Sequence, residues 1–321
     1  MERFARRAIV LQGRRSSTVD PALAARATPR AKASRAVRVA LRQGRGVFLR
    51  TTRWDAVSWW LDDLASDLGT GAPSFSVARL DLSTVGKDEG VWSRVPDRLA
   101  DLLDVPPRPG PPVTTREAFV ARVRDLLLVT SKTAPPRVLV LEDADRVGAT
   151  MSGDLVTAWR EARRRVPVAR MPRIVVTARW GGVPLDTKHG IERLLPDPTE
   201  AEAVVMLAEL LGPGDPERLR WIVEAVGPVP AFLVRLAKAG GPFDAAGIRA
   251  ALGSTHEEIR TVVQAALAQG TAAERLAELI TGPQPEVERV DRVLTRTGLI
   301  GTAAGTTWLR SPLFADALRE A

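Results

Sequence analysis

Two carboxylates standing side by side at the end of an apolar run are the first residues in this chain with an evident chemical use. In Arg137-Val-Leu-Val-Leu-Glu142-Asp143-Ala-Asp145-Arg146, the residues Val138–Leu141 read as a short buried strand with Glu142 and Asp143 at its tip. Acids so placed can hold a divalent cation and polarise a water for attack on a phosphoryl group. The plainer reading is that acidic residues end a strand and cap the helix that follows. Further on, Arg173-Ile-Val-Val-Thr177-Ala-Arg179 is a second apolar run with a hydroxyl at its polar end. Other chemistries fail on composition. The 321 residues include no cysteine, which excludes disulfides, thiolate metal sites and thiol nucleophiles. The two histidines, His189 and His256, lack acid–histidine spacing for a metal and read as surface residues.

The elements that must position these groups alternate up to about residue 195. Gly46–Leu49 reads as a buried strand, and Trp54, Val57, Leu61, Leu64 and Leu68 recur at helical spacing until Gly69. Phe75–Leu82 alternates as a strand does, Pro106–Pro112 is a loop, and Thr114 with Glu117 predicts a capping box opening a helix to Val129. Short apolar strands separated by helices imply a parallel sheet covered on both faces. Beyond Leu195 the pattern is helical. Thr199 and Glu202 predict a second capping box, helices follow to Ile280, and the end reads as helix, short hairpin, helix, the outline of a winged helix.

With 45% hydrophobic and 26% charged residues, the chain has the composition of a folded globular protein. No run of 18 apolar residues is present and no secretory signal opens the chain, so a cytoplasmic location is expected. The net charge of +8 is unevenly spread: residues 1–53 carry +12 and the remainder −4. Arg3, Arg6, Arg7, Arg14 and Arg15 therefore form a candidate nucleic-acid-binding arm, against the plainer reading of a solvated helix face. Arg160, Arg163, Arg164 and Arg165 form a second basic run, on the helix after the paired acids, where a solvated face is again the plainer reading.

The acidic strand end resembles the Walker B element of the AAA+/STAND class of P-loop ATPases, the branch that includes origin-recognition-type proteins. Thr177 resembles the tip of their sensor-1 strand. Leu194–Ala203 resembles the entry to their helical lid, and Val226-Gly227-Pro228-Val229-Pro230 the lid motif whose proline packs on the nucleotide base. The resemblance implies an α/β domain with a parallel sheet, then an all-α lid, then a winged helix. The expected boundaries are a basic arm over 1–40, the ATPase-like domain over 41–195, the lid over 196–282 and the winged helix over 283–321. In those families the paired acids usually run Asp then Glu, whereas here Glu142 comes first. They also require Gly-x-x-x-x-Gly-Lys-[Ser/Thr] between the first strand and first helix. The stretch Phe48–Trp60 has neither glycine nor lysine, and Asp55 stands where a phosphate would approach. Arg50 and Arg53 are the cations left to meet phosphates there, with Pro230 as the base contact. The implied function is a catalytically inactive subunit acting as scaffold or regulator beside an active ATPase or an effector, with no cofactor, no resident metal, and Glu142, Asp143 and Thr177 as vestiges. The alternatives are a nucleic-acid-binding protein using the arm and winged helix, and a genuine ATPase with a non-standard phosphate loop that binds ATP and Mg²⁺. Trp54, Trp59 and Trp60 are expected to include a ring that fills the nucleotide space or packs a neighbouring subunit.

Overall fold

A computed structural model of the chain describes residues 29–70, 74–85, 90–106, 113–132, 137–179, 190–212, 214–240 and 243–321. Two compact units, Lys32–Pro196 and Asp197–Ala321, are described separately below.

In the first unit, β1 (Gly46–Thr51), β2 (Ser76–Asp81), β3 (Arg137–Glu142), β4 (Arg173–Arg179) and β5 (Gly190–Leu194) form one sheet in the order β2-β3-β4-β1-β5, every neighbouring pair parallel. Side chains alternate across a strand, and both faces here are apolar. Val47, Leu49, Val138, Val140 and Val175 face α1 (Pro29–Arg42) and α2 (Val57–Thr70), meeting Val37, Leu41, Leu61 and Leu64. Phe48, Leu139, Leu141, Ile174 and Val176 point the other way. They pack with Val95 and Leu99 of α3 (Val91–Leu102), Phe119 and Val123 of α4 (Arg116–Thr130), and Leu155 and Trp159 of α5 (Ala149–Arg163).

Several expectations are adjusted. The α4 cap is Thr115, whose hydroxyl accepts from the Ala118 amide, one residue later than predicted. Gly69 lies inside α2, which runs on to Thr70. Trp60 is a core residue and not a filler of ligand space: it is 2% exposed, packs with Leu61 and Leu64, and its indole donates to the Ser34 hydroxyl of α1 at 3.0 Å. Trp59 is half-buried against the same core. Part of the stretch expected as a basic arm is α1, an amphipathic helix that buries Val37, Ala40 and Leu41.

The second unit has α6 (Glu200–Leu211), α7 (Pro216–Val226), α8 (Pro230–Ala239), α9 (Ala245–Ala251), α10 (Gly253–Leu267) and α11 (Thr271–Ile280). A small antiparallel sheet in the order β6-β8-β7 follows, built from β6 (Gln284–Pro285), β7 (Ile300–Ala303) and β8 (Thr306–Leu309), with α12 (Glu288–Thr297) before the β7–β8 hairpin and α13 (Pro312–Glu320) after it. The Thr199–Glu202 capping box opens α6 as predicted. At the end of α7, Gly227 has φ +79°, and a Cβ there would lie 2.6 Å from the Arg310 carbonyl oxygen, so only glycine fits. Beside it the Ser311 hydroxyl donates to the Val226 carbonyl at 2.6 Å, and Phe232 meets Phe314 edge-on at 5.6 Å. These contacts tie the helical bundle to the terminal helix–hairpin–helix.

Candidate functional site at the carboxyl ends of β1, β3 and β4

The chain leaves β1 towards β2 on one side, and β5 lies on the other, so β1 marks the place where the sheet order reverses. Ligands in open parallel sheets bind outside the strand carboxyl ends at such a point. Here those ends carry the turn after β1, the Glu142-Asp143 pair after β3 and Thr177 near the end of β4.

Glu142 is buried, at 9% exposure, and both its carboxylate oxygens are engaged. Oε2 accepts from the Ser58 hydroxyl at 3.0 Å, on the first turn of α2, and Oε1 from Arg79 Nε at 2.7 Å. Arg79 also pairs with Asp62 and donates to the Ser58 carbonyl, so one guanidinium joins β2, β3 and α2. Burial works to lower the Arg79 pKa, but the hydrogen bonds and charges of Glu142 and Asp62 outweigh it and hold the group firmly protonated.

Asp143 is built differently. Its backbone is left-handed, φ 52° and ψ 44°, and its amide donates to Thr177 Oγ1 at 3.0 Å. Thus Thr177, the expected sensor-like hydroxyl, engages the strand end. Asp145 turns back to accept from the Arg179 amide at 2.9 Å. Burial, together with the charges of Asp145 and Asp81, pushes the Asp143 carboxyl above the usual aspartate range against the pull of Arg179 and Arg146.

The turn after β1 is closed upon itself. The Thr52 amide donates to the Asp55 carboxylate at 2.5 Å, the Trp54 amide to Thr52 Oγ1 at 3.3 Å, and the Asp55 amide to the Thr52 carbonyl at 3.4 Å. Asp55 is 2% exposed and Trp54 fully buried. Ala56 has φ 45°, in the region glycine favours. Of the expected cations, Arg50 pairs with Glu192 of β5 at 2.5 Å, and the Arg53 guanidinium lies 5.8 Å from the Trp54 ring centroid. Pro230 is buried at the first position of α8 in the second unit. Arg3, Arg6, Arg7, Arg14, Arg15 and His189 lie outside the described residues. Among the described residues no group of three or more His, Asp or Glu side chains could hold a metal ion, and no helix is long and apolar enough to cross a membrane.

A Walker-type ATPase of Pyrococcus abyssi superposes on 90% of this chain and 95% of its own, with a TM-score of 0.55 and 12% identity. The fold is that of a P-loop ATPase. The ORC2 protein of Aeropyrum pernix matches over 91% of this chain and 94% of its own at TM-score 0.48 and 12% identity. The RuvB Holliday junction branch migration motor of Thermotoga maritima matches over 88% and 90% at TM-score 0.44, also with 12% identity. No family model and no curated protein sequence matches the chain.

Within a P-loop fold, the Ser58–Glu142 hydrogen bond supplies a register that sequence alone lacked. If Ser58 takes the final hydroxyl position of Gly-x-x-x-x-Gly-Lys-[Ser/Thr], the motif begins at Thr51, its second glycine falls on Ala56 and its lysine on Val57. On that register the stretch would have the motif's length and final hydroxyl, with Ala56 in positive-φ backbone where the second glycine would stand. Sequence reasoning missed Ser58, Arg79 and Asp62. Spacing from the end of β1 signals Ser58. Arg79 carried a weaker signal, as a charge inside an otherwise readable strand.

Proposed function

We propose that this chain is a catalytically inactive P-loop-ATPase-like subunit that works by binding and assembly, as a scaffold or regulator beside an active ATPase or an effector. The observation that carries this reading is the closed Thr51–Ser58 turn. Phosphate binding at such a turn depends on backbone amides and a cation turned towards the anion. Here the Thr52, Trp54 and Asp55 amides are taken by Asp55 and Thr52 themselves, and Asp55 adds a negative charge. Valine replaces the lysine, and Glu142 already bonds Ser58 and Arg79. These residues do not fit a Mg²⁺–nucleotide. Equilibrium binding of fluorescent ADP and ATP, read with phosphate release, tests the reading: neither saturable binding nor turnover is expected up to millimolar nucleotide. Turnover abolished by Glu142→Gln or Asp143→Asn would overturn it in favour of a genuine ATPase with an unusual loop.

A second function, nucleic-acid binding, is supported by the second unit. Helix α12 precedes the β7–β8 hairpin as the reading helix of a winged helix does, and Arg289, Arg292 and Arg296 lie on its exposed side. The sequence before position 29 adds further basic residues, whose charge suits a phosphate-rich partner. Both functions suit a chain working in the cytoplasm.

A further inference from the structure

The amino ends of β1 and β4, at the far end of the sheet from Glu142, gather arginines with no carboxylate among them. Helix α1 ends in a turn in which Gly44 (φ 69°) donates to the Leu41 carbonyl and Arg45 to the Ala40 carbonyl. A Cβ at Gly44 would collide with Val168, so this turn lies directly on the loop that joins α5 to β4. Arg173 fastens the two together. Its Nε donates to the Leu41 carbonyl at 2.9 Å, and its guanidinium also reaches the Val168 carbonyl at 2.6 Å and the Met171 carbonyl. From this joined surface Arg42, Arg164, Arg165 and Arg170 are exposed. Segments 35–46 and 162–173 contain no Asp or Glu. Glu161, next to the second segment, pairs with Arg124, and Asp67 of α2 pairs with Arg38 of α1. Arg173 reports the result: burial lowers its pKa, and the charge of Arg163 lowers it further.

We propose that this surface binds the phosphate backbone of nucleic acid without reading sequence. Guanidinium forks match phosphate oxygens two bonds at a time, and here they project from a frame held rigid by Arg173. Phosphate contacts position a duplex without carrying sequence information, and besides arginine the only side chain of the two segments suited to base edges is Gln43. The surface offers a protein partner no exposed aromatic anchor: Trp159 is buried beneath it, and the large exposed apolar side chains are two valines, Val39 and Val168. The inference does not rest on the state of the Thr51–Ser58 turn, and it concerns residues of the first unit, whereas α12 belongs to the second.

The test uses the full chain and a duplex of about 30 base pairs, titrated at several salt concentrations. Combined Arg164→Ala, Arg165→Ala and Arg170→Ala substitution should weaken binding roughly tenfold and lower the salt slope by about 3, equally for unrelated duplex sequences. The matching change to Arg164→Lys, Arg165→Lys and Arg170→Lys should recover most of the slope, because charge is kept. An alanine triple that binds like the unaltered chain, or a loss confined to one duplex sequence, overturns the proposal. So does a chain that binds anionic phospholipid vesicles but no duplex. As control, Arg289→Ala, Arg292→Ala and Arg296→Ala together should leave the contribution of Arg164, Arg165 and Arg170 intact; if the two sets are not separable, the proposal fails.

Discussion

Two of the acid–arginine centres among the described residues are built on opposite principles. Asp291, on α12, is fully buried and satisfied from every side: Arg275 bonds both its oxygens at 2.8 and 2.9 Å, Thr307 donates at 2.6 Å and the Val287 amide at 2.8 Å. Burial acts to raise its pKa, but these four donors together hold it below the usual aspartate range. In turn the Asp291 hydrogen bond leads the interactions that raise the Arg275 pKa. At the end of β3, Glu142 is paired with Arg79, but the adjoining Asp143 sits in left-handed backbone with two like charges nearby and a raised pKa. The first centre joins α11, α12, β6 and β8 and is explained by stability alone. The second carries left-handed backbone and like-charge crowding at Asp143. Strain and like-charge crowding of this kind gather at functional sites, and here they lie at the carboxyl end of β3.

The contrast is sharpest under substitution. Asp291→Ala leaves the buried Arg275 guanidinium with only Glu278 and the Pro285 carbonyl, so the expected loss is about 3 kcal/mol, read as a lower urea midpoint for the second unit. Because the Asp291 pKa is lowered on folding, its contribution is present above about pH 3.9 and is lost as pH falls through the folded value. A loss well under 1 kcal/mol would erase the distinction between the two centres.

Arg79→Ala comes next. It leaves Glu142 with only the Ser58 hydroxyl, and a loss of about 1–3 kcal/mol is expected. Adding Glu142→Gln should return part of the stability, because the stranded charge is gone; a double variant less stable than Arg79→Ala would show that Arg79 acts by packing instead.

Asp143→Asn is the smallest effect and has the opposite sign. Asparagine tolerates left-handed backbone and removes the charge that burial disfavours. A raised folded pKa makes the acid form stabilising below about pH 3.9 and loses that stability as pH rises through the folded value. Asp143→Asn should therefore melt slightly above the unaltered chain at neutral pH, the gap closing towards pH 4. A variant that melts lower at pH 7 would contradict the reading of Asp143 as an unfavourable charge.

Much of the fold is legible in local pattern. Val138–Leu141 and Ile174–Val176 are apolar on both alternating faces, which only a sheet covered on both sides satisfies, and Thr199 with Glu202 writes the start of α6 in four residues. Helix α3 is less legible in sequence, because Pro96 interrupts a pattern that Val91, Val95 and Leu99 otherwise keep. Strand β5, Gly190–Leu194, has mixed polarity and is defined by its pairing with β1.

The sequence by itself determined that acids end β3, that a hydroxyl lies near the end of β4, that glycine and lysine are missing after β1, and that the positive charge is concentrated before residue 53. These are facts of residue type and short spacing, which local chemistry reads directly. Tertiary structure alone decided that Arg79, 63 residues from Glu142, neutralises it, and that the Ser58 hydroxyl donates to the same carboxylate. It also decided that Trp60 is core and that arginines from α1 and from the α5–β4 loop share one surface. Each of those depends on which strands pair and which helix lies over them. Parallel pairing joins segments that are far apart along the chain, so no window of neighbouring residues contains the answer.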